Sequence, residues 1–313
     1  MSEIDAFTIV AILVRALGYG AGALAVGSGL FLVAFAGRAG AGESGGDLRR
    51  AMARTARIGG VAAIVAVAAT LAGLGVRAGR LSGLDLEGMV DATMLQIVWE
   101  GPVGTAVSVR LVGLATVVAG LAVFRTGAGR AFVLAGGLTY AYSYALVGHA
   151  SEPPQWLLAP AVTVHLLAVS FWFGSFAPLA LVTRRGAAVD AAGLLGAFGR
   201  TAIWVIGALV AAGATFAAVM LGSPAGLVDS AYGWIFMAKL ALVTFLLMLA
   251  AFNKLRLVPA LARGDERARF SLVRSIRLEA CTVAAILLVT AALTSVATPP
   301  VRAAVAPHPT EAT

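Results

Sequence analysis

Apolar stretches long enough to cross a bilayer follow one another along almost the whole chain, and alternate connections between them are rich in arginine. About 20 apolar residues span a bilayer as a helix. Eight segments meet that length, at roughly 7–36, 57–79, 102–124, 130–149, 156–183, 199–221, 232–253 and 274–297. The chain is 60% hydrophobic and 12% charged, against about 25% charged in soluble domains. One globular core cannot hide that much apolar surface. The expected fold is an all-α polytopic membrane protein with eight transmembrane helices, in contact with membrane lipid.

Basic residues cluster on the cytoplasmic side of membrane proteins. Arg38, Arg49, Arg50, Arg54 and Arg57 follow the first segment, and Arg125 and Arg130 follow the third. Arg184, Arg185 and Arg200 follow the fifth. Lys254, Arg256, Arg263, Arg267, Arg269, Arg274 and Arg277 follow the seventh. The other connections carry mainly acids, namely Asp85, Glu87, Asp91, Glu100, Glu152 and Asp229. The expected topology therefore has both termini outside, in a multi-pass protein of a bacterial inner (plasma) membrane. The net charge of +8 marks cytoplasmic connections, not a nucleic-acid surface. The acidic start (Glu3, Asp5) and long first apolar run are unlike a cleavable signal peptide, so the first span is expected to be retained. Residues 84–99 are too polar to span and are expected to lie on the outer surface as an amphipathic segment.

The chain divides into an N-terminal four-helix half at 1–150, a C-terminal half at 151–298 and a polar outer tail at 299–313. Gly104 precedes Arg110 by six residues, as Gly233 precedes Lys239, which two parallel halves would produce. Small residues at one-turn spacing, Gly18 with Gly22 and Gly207 with Ala211, read as ordinary helix packing.

Ionisable groups inside the spans are few, and such groups normally face the bundle interior or a water-filled cavity. Arg15, Arg110, His165 and Lys239 fall about 10–15 Å from the outer ends of four different spans, which implies a polar layer in the outer half. His165 is a candidate for metal ligation or proton transfer, against the alternative of a histidine bonded to a carbonyl. Trp172 lies seven residues on, on the same helix face. His149 sits at the rim beyond the turn Ser151-Glu152-Pro153-Pro154 and gains interest only beside His165. His308 lies in the polar tail and is expected to be solvated. Thioethers suit Cu(I), so Met220, Met237, Met89 and Met94 are candidates for one ligand at most, with flexible packing the ordinary role. Cys281 is the single cysteine, which excludes an internal disulfide. It could serve as an exit ligand for Cu(I), although a lone buried cysteine is usually inert. Glu279 is expected to latch to Asn253-Lys254 on the inner side. The three cations oppose a cation site unless outer acids neutralise them, and they would equally suit the propionates of a haem.

Five motifs in order resemble the copper resistance protein D (CopD) family. They are His165-Leu-Leu-Ala-Val-Ser-Phe-Trp172-Phe-Gly174, Phe198-Gly-Arg200, Tyr232-Gly233 with Lys239-Leu240, Asn253-Lys254-Leu-Arg-Leu-Val-Pro259, and Arg274-Ser-Ile-Arg277-Leu-Glu279. Arg15-Ala-Leu-Gly-Tyr19 and Gly104 with Arg110 extend the likeness more loosely into the first half. The resemblance implies copper-ion transport across the inner membrane, commonly viewed as uptake from the periplasm, alongside a periplasmic copper carrier of the CopC type. Ser175 stands where the family pattern has a second glycine, and no methionine-rich or histidine-rich outer loop is present, which favours delivery by a partner. The expected path runs from His149 to His165 and along spans five to eight. No nucleotide-binding loop is present and no enzymatic activity is expected. The alternatives are a b-type haem electron-transfer protein with His149 and His165 as axial ligands, and a copper-delivery or assembly factor.

Overall fold

A computed structural model describes residues 5–37, 45–186, 188–221 and 231–296, and within them every regular element is helical. Helix α1, Ala6–Phe35, starts where the Asp5 side chain accepts a hydrogen bond from the Thr8 amide at 2.6 Å. That bond holds the Asp5 carboxyl below its usual range. Helix α2, Gly45–Ser82, is about 57 Å long, nearly twice a hydrocarbon core. Its first turns carry Arg49, Arg50, Arg54 and Arg57, so part of the expected basic connection is helix. The same holds for α8, Ala188–Leu221, and α11, Glu266–Val296, which begin before their apolar spans. Hydropathy marks bilayer thickness, whereas backbone hydrogen bonding continues until a cap or breaker stops it.

The expected surface segment forms two short helices, α3 (Asp85–Gly88) and α4 (Ala92–Glu100). Asp91 caps α4 by accepting from the Met94 amide at 2.7 Å. Both fold back on α2, with the Asp85 carbonyl against Gly79 and the Met89 carbonyl against Gly75. Helix α5, Pro102–Ala122, opens on a proline that needs no amide partner there. Helix α6, Gly127–Tyr142, is capped by Thr126 and continues into 3-10 turns at Ser143–Leu146 and Gly148–Ser151. Helix α7, Gln155–Arg185, follows. Helix α9, Ala231–Phe252, widens into a π turn at Asn253–Leu257 before the short α10, Val258–Ala262. Pro259 explains the widening: it has no N–H for an ordinary turn and its ring crowds the preceding carbonyl, so Val258 bonds back to Asn253 instead.

Seven helices among the described residues are long and apolar enough to cross a membrane. The segment expected as the fourth span falls short as a helix, because α6 has 16 residues. Its following 3-10 turn adds about 8 Å to a helix of about 24 Å.

Helix α7 is the hub, packed on α1, α6, α8 and α11. It meets α1 where a Cβ on Gly27 would fall 1.7 Å from the Ser170 carbonyl oxygen, and one on Gly174 2.2 Å from the Gly27 carbonyl carbon. Lipid is as apolar as leucine, so close backbone approach rather than apolar burial holds such helices together. Ser175, beside this crossing, turns its hydroxyl onto the Trp172 carbonyl at 2.6 Å. Phe35, Phe171 and Phe198 seal α1, α7 and α8 together, with Phe171 and Phe198 stacked at 5.8 Å. Of the one-turn small-residue pairs, Gly18 faces Ala69 and Gly22 lies under the Tyr140 hydroxyl, but Gly207 faces open space.

Candidate functional site

His165 projects from α7 onto α8. Its ring lies beside the Leu209 backbone and against Gly213, one turn further along that helix. The glycine makes the room: a Cβ there would come within 3.3 Å of Cε1 and 3.4 Å of Nδ1. Nδ1 is buried without a hydrogen-bond partner among the described residues. Lys239 of α9 lies within electrostatic reach of the ring.

Arg110 belongs to a separate cluster on the first half. Its Nε donates to Ser143 Oγ at 3.1 Å and its guanidinium stacks 3.9 Å from the Tyr144 ring centroid. Tyr144 in turn lies 5.7 Å from Tyr19 and shares a 3.0 Å hydroxyl contact with Tyr140. Arg15 reaches across to α11 and donates to the Thr294 carbonyl at 2.5 Å, where the helix end favours a cation. Among the described residues no carboxylate pairs with Arg15, Arg110 or Lys239. Asp91 is committed to its cap and Glu100 accepts from Gln96 at 2.8 Å. Neutral oxygens and an aromatic face, rather than acids, hold the two arginines. Tyr19 stands in the Arg15-Ala-Leu-Gly-Tyr19 motif, whereas the sequence signal for Tyr140 and Tyr144 is only their spacing of one helical turn.

The other candidates scatter. His149 has its backbone in the 3-10 turn after Gly148, whose φ of 72° suits glycine, and its side chain lies outside the described residues. Asp229 and His308 also lie outside them. Met220 is buried near the end of α8. Met237 is 38% exposed, and two residues from Lys239 it points about 200° round the helix from that side chain. Met89 packs on Gly75, and Cys281 is exposed. Among the described residues no group of three histidine, cysteine or acidic side chains is placed to hold a metal ion.

Trp172 lies about 10 Å further along α7 than His165. Its side chain hydrogen-bonds to Glu279 of α11, and Asn253 Nδ2 of the π turn donates to Glu279 Oε1. Of the expected latch to Asn253-Lys254, the Asn253–Glu279 bond is present with Trp172 beside it, whereas Lys254 turns away from Glu279. The three side chains form one wall of a cavity of about 290 Å³ whose remaining lining is mostly apolar, including Phe176, Leu195, Ile206 and Leu247. Lys254 lines it too, donating to the Gly199 carbonyl at 3.1 Å.

Residues 4–159 match the family described as copper resistance protein D-like, N-terminal domain, and residues 192–293 match copper resistance protein D. The chain belongs to the copper resistance protein D family. No curated protein and no solved structure matches it. Membership makes this a multi-pass membrane protein of copper resistance and transport. The two matched stretches take in Arg15, Arg110, Lys239, Asn253 and Glu279 of this CopD-family chain. His165 and Trp172 fall between them, so the case for those two rests on geometry.

Proposed function

We propose that this CopD-family chain carries copper across the bacterial inner membrane from the periplasmic face toward the cytoplasm, with His165 as the contact inside the bilayer. The observation that carries the reading is the buried Nδ1 of His165 without a partner among the described residues. A buried polar atom is ordinarily hydrogen-bonded, and an imidazole nitrogen left free is a lone pair that copper can take. Copper is cargo here, not a resident cofactor. Nearby Lys239 opposes a tight cation site, which suits a contact that must release its ion. The absence of a three-ligand cluster among the described residues fits the same transient role.

In this reading the arginine-rich helix starts face the cytoplasm, α6 with its 3-10 turn makes the eighth crossing, and both termini are periplasmic. A periplasmic carrier of the CopC type supplies the ion, His149 receives it, and Met220 near the end of α8 is the candidate thioether ligand. Copper uptake into vesicles measures the proposal directly. His165→Ala is expected to cut uptake at least about tenfold, the cost of roughly 1.4 kcal/mol of lost contact. Unchanged uptake by a correctly inserted His165→Ala protein sinks the reading. A Soret band in the purified protein would replace it with haem ligation.

A further inference from the structure

Glu279 is 5% exposed within the membrane body, and among the described residues no cation pairs with it. Its partners are neutral donors, Trp172 from α7 and Asn253 from the π turn. On its own helix Arg274 and Arg277 are exposed. From α8 the cavity wall brings Phe198, Gly199 and Ile203, with Arg200 exposed, and from α9 Leu247 and Ala250. Lys254 is the other ionisable group lining the cavity, and it is turned to the Gly199 carbonyl. An unpaired carboxylate in this setting is costly, and such groups in membrane proteins mark ion pathways or proton relays.

Asn253 supplies the second observation. Its Oδ1 is buried without a hydrogen-bond partner among the described residues, while its Nδ2 serves Glu279. An amide offers two donors on one side and an acceptor on the other. With the NH2 turned in, Asn253 donates to the carboxylate. With the carbonyl turned in, it accepts from the hydroxyl of the protonated acid. One side chain thus satisfies both charge states of Glu279. The π turn that places it is the kind of helix irregularity often found at functional sites.

We infer that Glu279 is a proton-binding site on the inner-half cavity, exchanging one proton with cavity water during the copper cycle. A hydronium ion gives its proton to a Glu279 carboxylate oxygen and is left as water, Asn253 turns its carbonyl to the new hydroxyl, and the reverse step returns both. The link to copper rests on the transport reading above; proton exchange itself does not.

Infrared difference spectra of the full-length protein between acidic and neutral pH test the exchange without copper. A carboxylic-acid C=O band is expected that is absent in Glu279→Gln, is displaced in Asn253→Ala, and shifts promptly in D2O. A band unchanged in Glu279→Gln overturns the site, and a band that ignores D2O because an apolar ligand fills the cavity overturns it equally. In proteoliposomes, copper flux should respond to an imposed pH gradient by up to about tenfold per pH unit in the wild type, the limit for one proton, and not in Glu279→Gln. Equal response in both proteins overturns the coupling. If His165→Ala leaves flux intact while the band behaves as expected, the transport reading fails and the proton site stands.

Discussion

At the scale of residues, Gly213 and His165 are one unit. Gly213→Ala places a methyl carbon 3.3 Å from the imidazole, so the ring must shift by a few tenths of an ångström. Copper uptake is expected to fall several-fold in Gly213→Ala, while Gly207→Ala on the same helix, which meets open space, leaves it unchanged. Equal uptake in both would separate His165 from transport. Arg110 makes a different prediction, because its guanidinium both donates to Ser143 and stacks on Tyr144. Lysine lacks the planar fork, so Arg110→Lys should cost about 1 kcal/mol, read as a lower unfolding temperature in detergent. The ionisable residues themselves were legible in the sequence, since a charge inside an apolar span stands out. Their partners were not. Tyr19 comes from α1, and Ser143 and Tyr144 from the 3-10 turn after α6, and hydropathy treats a tyrosine that stacks under a guanidinium like one that faces lipid.

At the scale of elements, two local rules decide the architecture. The α1–α7 crossing depends on backbones in contact, so Gly27→Val is expected to cost about 3 kcal/mol by overpacking, with loss of folded protein after extraction as the measure. Pro259 forces the π turn, and Pro259→Ala should let the helix regain ordinary bonding and rotate Asn253 away from Glu279. The carboxylic-acid band of Glu279 should then lose its dependence on Asn253. The spans were readable from length and apolar content, but their ends were not. The arginine-rich starts of α2 and α11 are helix, because arginine is a good helix former, and α8 likewise begins a dozen residues before Arg200. Conversely, α6 stops at Tyr142 although apolar residues continue, since Ser143 turns its hydroxyl back to the Tyr140 carbonyl and the chain tightens to 3-10.

At the scale of the molecule, the polar groups gather at three stations. Arg110 with its tyrosines lies on the first half, His165 lies between α7 and α8 with Lys239 of α9 in electrostatic reach, and Glu279 lies against α7 and the π turn. The topology predicts that, in a Cys281→Ser background, a cysteine at Arg267 labels from the cytoplasm and one at Leu84 labels from the periplasm. The opposite pattern would reverse the direction of the copper path. By itself the sequence determined the membrane class, the alternation of basic and acidic connections, and the residues too polar to be there without a reason. All of these follow from transfer energies, which depend on composition and order alone. Tertiary structure decided which of those residues meet. The Trp172–Glu279 contact, the notch that Gly213 leaves for His165, and the cavity behind Asn253 depend on which helix faces abut, and in lipid those faces are chosen by backbone approach rather than by hydrophobicity.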